Sequence, residues 1–219
     1  MKTPQIKHHL TDELLMAYSA GSLPEAFSLV VATHVSLCDE CRARLGSFDT
    51  LGGAMLEECG NAELDAGALD ATMARILEGA PQVAAKEKPR KSRGVFPRPL
   101  QDYVGGDVEA VKWKPVGMGV RQAIQPTSQD ASVRLLFIPA GCAVPDHGHR
   151  GTELTLVLQG AFMDEEDRFA RGDVEVADED LEHTPIADIG EDCICLAATD
   201  APLRFRGIVP RLAQPFLKI

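Results

Sequence analysis

Residues 141–160 read GCAVPDHGHRGTELTLVLQG, and this stretch decides the fold of the C-terminal half. It follows the spacing G-x5-H-x-H-x3-E-x6-G, with ligand-competent side chains at His147, His149 and Glu153. Residues two apart on a strand share one face, so His147 and His149 project together. Glu153 opens the apolar run Leu154–Leu158, which is typical of a buried strand. The stretch therefore predicts a strand–turn–strand unit that presents three metal ligands.

Further strand-like runs surround this unit. Val133–Ile138, Val174–Val176 and Cys193–Leu196 are short and apolar, and Pro, Gly and Asp turns separate them. Short strands at such intervals, without a helical period, predict a sandwich or a barrel. We therefore expect residues 101–219 to form a metal-binding β-barrel domain.

The spacing around His147 resembles the first motif of the cupin family of metal-binding β-barrels. The resemblance implies a second motif with one more histidine ligand, and His183 stands at the matching distance after Gly172. That motif departs from the family pattern, because Asp178-Glu179-Asp180 replaces the usual P-x-G and Ala187 holds the usual Asn position. The predicted ligand set is His147, His149, Glu153 and His183. Zn, Mn, Fe and Ni all accept such a set, and an empty site is the alternative.

A second cluster lies in the N-terminal third, at His34-Val35-Ser36-Leu37-Cys38-Asp39-Glu40-Cys41. On a helix, His34 and Cys38 lie one turn apart on one face. Cys38 and Cys41 at a helix start can clamp one ion through two thiolates. The spacing predicts a tetrahedral zinc site that needs one more ligand. His8 and His9 are both candidates, and we favour His9 because it adjoins the start of the first predicted helix.

The chain divides into three predicted parts. Residues 1–80 contain four helical segments, the first capped by Thr11 and the last ending near Glu78. Residues 81–100 are rich in proline and carry six Lys or Arg against one Glu, so we expect a basic linker that resists packing. The predicted fold class is α+β multidomain, with an N-terminal zinc-stapled four-helix domain and a C-terminal cupin β-barrel.

The net charge of −11 argues against nucleic acid as a partner. Residues 1–80 carry 5 Lys or Arg against 12 Asp or Glu, and residues 101–219 carry 11 against 20. Both parts repel phosphate backbones and favour basic protein surfaces. No run approaches the roughly 20 apolar residues of a membrane span, and the N-terminus lacks the apolar core of a signal peptide. We therefore expect a cytoplasmic protein without direct contact to nucleic acid or membrane.

The remaining cysteines have two readings. Cys193 and Cys195 lie two apart on one predicted strand, and Cys142 precedes the ligand histidines. Thiols close to a metal can react with oxidants. Small buried cysteines can equally well fill a core without any chemistry.

With His9 ahead of it, the His34-x3-Cys38-x2-Cys41 cluster resembles that of the zinc-binding anti-sigma factors of the ChrR type, and the order of the two domains does so too. The segments Ala26–His34 and Pro145–His149 extend the resemblance. It implies one zinc ion in each domain and a helical domain that captures an extracytoplasmic-function, RpoE-like sigma factor. It also implies that photo-oxidative stress, with singlet oxygen as the signal, releases that factor.

Two classes of function compete for this sequence. The first is a regulator without enzymatic activity, as the resemblance implies. The alternative is a cupin-type metal-dependent dioxygenase with an added zinc domain, because a site of three histidines and one glutamate with an open position can activate oxygen. The sequence offers no dedicated acid–base pair beyond the ligands, and this favours the regulator.

Overall fold

The computed structural model describes residues 5–79, 94–128 and 130–205. Within these ranges the chain forms five α-helices and twelve β-strands. The helices are α1 (Asp12–Ser19), α2 (Glu25–Val35), α3 (Asp39–Glu57), α4 (Ala68–Leu77) and α5 (Arg98–Val104). The strands are β1 (Lys114–Gly117), β2 (Val120–Gln125), β3 (Ser132–Ile138), β4 (His147–Gly148), β5 (Glu153–Gln159), β6 (Ala161–Met163), β7 (Arg168–Ala170), β8 (Val174–Ala177), β9 (Glu182–His183), β10 (Ile186–Ala187), β11 (Cys193–Thr199) and β12 (Arg204–Phe205).

The first four helices correspond to the four that the sequence predicts. The Thr11 hydroxyl caps α1 by accepting a hydrogen bond from the Leu14 amide at 3.3 Å. Cys38 caps α3 in the same way, because its sulfur accepts from the Cys41 amide at 3.4 Å. The predicted zinc motif therefore also starts a helix.

Helix α5 was not predicted, and it begins inside the segment 81–100 that we expected to be a linker. Phe96 lies just before α5 and Leu100 lies in its first turn, and the two side chains are buried, at 1% and 0% exposure. These two apolar side chains pack residues 94–100 against the core, although we expected the whole of 81–100 to resist packing. Residues 81–93 lie outside the described residues.

The strands form three antiparallel sheets. The largest has the order β1-β2-β3-β11-β5-β8, and the smaller two have the orders β10-β6-β7 and β12-β4-β9. Strand β11 is buried on both faces: Ile194 and Leu196 lie in the core shared with the helices, and Cys193 and Cys195 lie in a second core. This alternation follows from the two-residue period of a strand.

The helices and the large sheet share one hydrophobic core. Helix α2 packs on strands β3, β5 and β11. Side chains from both halves belong to one buried cluster, which includes Leu15, Phe27, Val30, Leu135, Leu156 and Leu196. The predicted α+β fold class is confirmed, and the helices lie on the outer face of the sheet. The domain boundaries near residues 80 and 100 stay a prediction.

Helix α4 lies away from this core and has no buried residue. Leu69, Met73 and Ile76 on this helix are 72%, 46% and 63% exposed. Positions i, i+4 and i+7 share one helix face, so α4 presents an apolar stripe to solvent. Among the residues that the structure describes, no helix is both long enough and apolar enough to cross a bilayer.

Candidate metal centres

The structure brings the four predicted zinc ligands together where α2 meets α3. The ligand atoms of His9, His34, Cys38 and Cys41 all lie within 4.8 Å of one another. His9 Nδ1 lies 3.3 Å from Cys38 Sγ and 3.6 Å from Cys41 Sγ. His9 Nε2 lies 3.4 Å from the carboxylate of Glu40. A carboxylate on the far ring nitrogen is the usual partner of a metal-binding histidine.

His8 points away from this cluster and towards the barrel. Its Nε2 lies 3.0 Å from the Asp167 carboxylate, and its ring centroid lies 4.3 Å from that of Phe169. Of the two upstream histidines that the sequence left open, the structure therefore places His9 with the cysteines.

The surroundings of His34 fit a metal ligand. The side chain is fully buried, and its Nδ1 lies 2.9 Å from the Gly172 carbonyl oxygen, to which it donates. Its Nε2 is buried and has no hydrogen-bond partner among the described residues. A buried ring nitrogen without a partner is costly unless a metal accepts its lone pair. Burial lowers the pKa of His34 to about 4, which keeps the imidazole in the neutral form that binds metals.

Three histidines converge inside the barrel. His147 on β4 pairs directly with His183 on β9. His183 Nε2 lies 3.3 Å from His147 Nε2 and 3.4 Å from His149 Nε2. All three side chains are buried, and burial lowers the pKa of His147 and of His149. Three imidazole Nε2 atoms that meet at one point suit a metal ion, which replaces any proton held there.

Glu153, the fourth predicted ligand, stands slightly apart. Within the described ranges, the group whose ligand atoms lie within 4.8 Å of one another contains the three histidines without Glu153. Its carboxylate lies 3.7 Å from His149 Nδ1 and accepts a hydrogen bond of 3.1 Å from the Thr155 hydroxyl. The residue opens β5 and lines the same cavity as His147 and His183. Its role as a ligand stays a prediction.

Two carboxylates that the sequence did not predict orient His183. Glu175 Oε1 lies 3.0 Å and Asp164 Oδ2 lies 3.1 Å from His183 Nδ1, and both side chains are buried. Burial raises the pKa of Glu175 to about 7. Burial lowers the pKa of His183, but the two carboxylates outweigh it and raise that pKa to about 9. By alternation Glu175 faces the side opposite to Val174 and Val176, which the sequence alone would assign to solvent, so its burial could not be read from the pattern.

A cavity of about 310 Å³ adjoins His147 and His183. Its walls are mostly apolar and include Val120, Leu136, Ile138, Val144 and Phe162. An apolar chamber with a few convergent polar groups is the usual form of a small-molecule site.

Cys193 and Cys195 lie on the inner face of β11. Both thiols are buried, and their sulfur atoms are 3.5 Å apart. The hydrogen bond to Cys193 and burial raise the pKa of Cys195 well above its usual range. Because the thiolate is the reactive form, this environment favours the packing role.

The comparisons with known proteins agree with this arrangement. The family described as "ChrR Cupin-like domain" matches residues 101–202. The anti-sigma-E factor ChrR of Cereibacter sphaeroides is 58% identical over 214 residues, which cover 98% of this chain and 99% of that protein. The crystal structure of Rhodobacter sphaeroides SigE in complex with the anti-sigma ChrR matches with a TM-score of 0.79 and 57% identity, over 90% of this chain and 100% of that chain. This identity extends through both halves, so the chain belongs to the ChrR family of anti-sigma factors, which are regulators rather than enzymes.

Proposed function

We propose that the chain captures an extracytoplasmic-function, RpoE-like sigma factor and so represses the transcription that this factor directs. Photo-oxidative stress, with singlet oxygen as the signal, releases the sigma factor. The observation that carries the proposal is the 58% identity, over 98% of the chain, to an anti-sigma-E factor. The similar crystal structure contains such a factor in complex with SigE. Capture takes place in the cytoplasm, where sigma factors meet RNA polymerase.

The uncovered helical surface supports capture of a protein. The stripe Leu69, Met73 and Ile76 on α4 is exposed, and Met55 and Leu56 near the end of α3 are exposed as well. Exposed apolar patches of this kind mark protein–protein contacts. Residues 1–80 carry 5 Lys or Arg against 12 Asp or Glu, and this acidic charge complements the basic surfaces with which sigma factors bind DNA. Helix α2 is already covered by the sheet on one side.

We assign one metal ion to each cluster. His9, His34, Cys38 and Cys41 would hold a structural zinc ion that fixes α2, α3 and the preceding segment together. His147, His149, His183 and Glu153 would hold the second ion beside the apolar cavity, and the family resemblance favours zinc there as well. A metal at that position supplies a centre whose coordination an oxidant can change. Glu175 and Asp164 hold His183 in the orientation that such a ligand needs.

Capture is tested with candidate sigma factors of the same genome, co-expressed with the chain and co-purified. Met73→Asp places a charge in the α4 stripe, so we expect it to weaken binding at least about tenfold, as loss of a central interface side chain does. Ile189→Asp is the matched control, because Ile189 is 91% exposed on the barrel, outside the proposed surface. If the chain binds none of the sigma factors, or if both variants weaken binding equally, the proposal is wrong.

A further inference from the structure

The helical cluster contacts the barrel at the turn that precedes β8. His34 Nδ1 donates to the Gly172 carbonyl oxygen at 2.9 Å, and both groups lie in the interior. Gly172 has a φ of +93°, and a Cβ added there would lie 2.7 Å from Ile6 Cδ1. The backbone conformation therefore favours glycine at this position, and an added Cβ would also displace the Ile6 side chain.

The next residue fixes the segment that carries the other candidate histidine. Asp173 is 2% exposed. Its Oδ1 accepts hydrogen bonds from the amides of Lys7 at 2.6 Å and His8 at 3.0 Å, and the Val174 amide donates to the His8 carbonyl at 3.3 Å. His9 follows directly in the chain. Two of the four zinc-ligand candidates are thus held by the turn at residues 172–174.

The same turn leads straight into the barrel site. Strand β8 begins at Val174, and Glu175 is its second residue. The Glu175 carboxylate lies 3.0 Å from His183 Nδ1, while His183 Nε2 faces the two other histidines at 3.3 and 3.4 Å. Only two residues of backbone separate Gly172, which contacts one cluster, from Glu175, which contacts the other.

We infer that the segment Gly172–Glu175 couples the two candidate metal centres, so that the state of the barrel histidines determines how firmly His34 and His9 are held. When the barrel trio is intact, it fixes His183 and through it Glu175, β8 and the preceding turn. When the trio is disrupted, the turn loosens and the helical cluster releases its metal faster. This inference rests on the metal assignment made above for the proposed function.

The first measurement asks whether the junction holds the helical metal. The full-length protein is loaded with Co²⁺, and the thiolate-to-cobalt absorption band reports only the cluster that contains Cys38 and Cys41. Its decay on addition of a chelator gives the release rate. Gly172→Ala keeps the carbonyl but distorts the turn that carries it, so we expect it to raise this rate by about tenfold, the lower range for disturbing an outer-shell partner. Gly141→Ala is the matched control: Gly141 also has a positive φ of +74°, but an added Cβ would meet only Ile189, at 3.6 Å.

The second measurement tests the coupling itself. His147→Ala removes one barrel histidine and should speed release of Co²⁺ from the helical cluster by about fivefold or more, the lower range of couplings between sites. In the Gly172→Ala background the same change should have no further effect. Circular dichroism confirms that each variant is folded.

Several results would overturn the inference. The first is a Co²⁺ release rate for Gly172→Ala that equals the rate for Gly141→Ala. The second is a release rate for His147→Ala that equals the rate for the unchanged protein. The third is a protein that binds only one Co²⁺. Sigma-factor binding, measured on the same samples, separates the two proposals. Normal capture with uncoupled release overturns the coupling alone, whereas failure of the unchanged protein to capture any sigma factor overturns the proposed function.

Discussion

The hydroxyl of Tyr103 donates a hydrogen bond of 2.9 Å to the Glu25 carboxylate, and the same hydroxyl contacts the Pro126 carbonyl oxygen. Glu25 is the first residue of α2, Tyr103 belongs to α5, and Pro126 follows β2. One side chain thus joins the helical layer to the barrel at its edge. Burial and the bond to Glu25 raise the pKa of Tyr103 to about 12.

This bond predicts a loss of stability at high pH. The folded protein holds the Tyr103 proton more tightly than the unfolded chain, whose tyrosine pKa is about 10. The stabilisation that the protonated Tyr103 hydroxyl gives to the folded protein is therefore complete below a pH of about 10 and disappears as the pH rises towards 12. We expect about 1 kcal/mol or less, because the pair is partly exposed. Urea unfolding at pH values of about 9 and 11.5 should show a larger drop for the unchanged protein than for Tyr103→Phe. Equal drops would contradict the assignment.

Cys38→Ala should abolish zinc binding at the helical cluster and sigma-factor capture together. The thiolate is one of four proposed ligands, and metal binding and folding are linked in small zinc-stapled units. Metal content and calorimetric binding to the sigma factor measure the two effects. Cys59→Ala is the control, because Cys59 is exposed and lies outside the cluster. A Cys38→Ala protein that represses transcription at full strength would show that the zinc has no structural role.

His147→Ala should leave capture near normal and remove induction by singlet oxygen. The histidine lies inside the barrel, away from the exposed stripe on α4. A reporter gene controlled by the sigma factor, measured in the dark and under photosensitised illumination, reads both properties. Asp146→Asn, which changes the exposed neighbouring residue, is the control. If His147→Ala responds normally while Cys193→Ser combined with Cys195→Ser does not, sensing belongs to the thiols instead of the metal.

Leu156→Ala should destabilise both halves of the protein at once. Leu156 is fully buried on β5 in the cluster shared with α2, and such a truncation costs about 2–5 kcal/mol. Leu69→Ala on the exposed face of α4 should change stability by about 0.5 kcal/mol or less. Urea transitions followed by helical circular dichroism and by fluorescence of the single tryptophan, Trp113, should coincide. A helical transition that precedes the fluorescence change would mean that the halves unfold separately.

The sequence predicted the parts of the fold that depend on short spacings. His34 lies at the end of α2, and Cys38 and Cys41 lie at the start of α3, so the expectation of one shared helix face was wrong although the short connection still brings the three together. His147 and His149 are set by one short segment of chain, so their grouping follows from local geometry. The four helices and the strands around residues 133–138, 153–158, 174–176 and 193–196 are confirmed for the same reason. Where the hydrophobic periodicity is regular, a helix or strand can be predicted from the local sequence alone.

The contacts between the halves were not predicted, because they join residues far apart in the chain. His34 and Gly172 are 138 positions apart. Two signals were nevertheless present. Helix α2 is apolar nearly all round, which indicates burial on several sides. Strand β11 is a continuous apolar run, which indicates a covering layer on each face. Together they predict that a helix covers the sheet, although neither pattern shows which helix packs on which strand.

The shared core also has a consequence for synthesis on the ribosome. Strand β11, which covers α2, begins at Cys193, and α2 ends at Val35. At about 5–20 residues per second, the nascent helices wait roughly 8 to 30 s for the strand that shields them. Until then Phe27 and Val30 lack the completed sheet, because β11 lies between β3 and β5. Chaperones and early metal capture then become the means of keeping the emerging chain out of aggregates. The four proposed ligands of the helical cluster are complete once Cys41 has been made, so the proposed metal can bind long before the barrel exists.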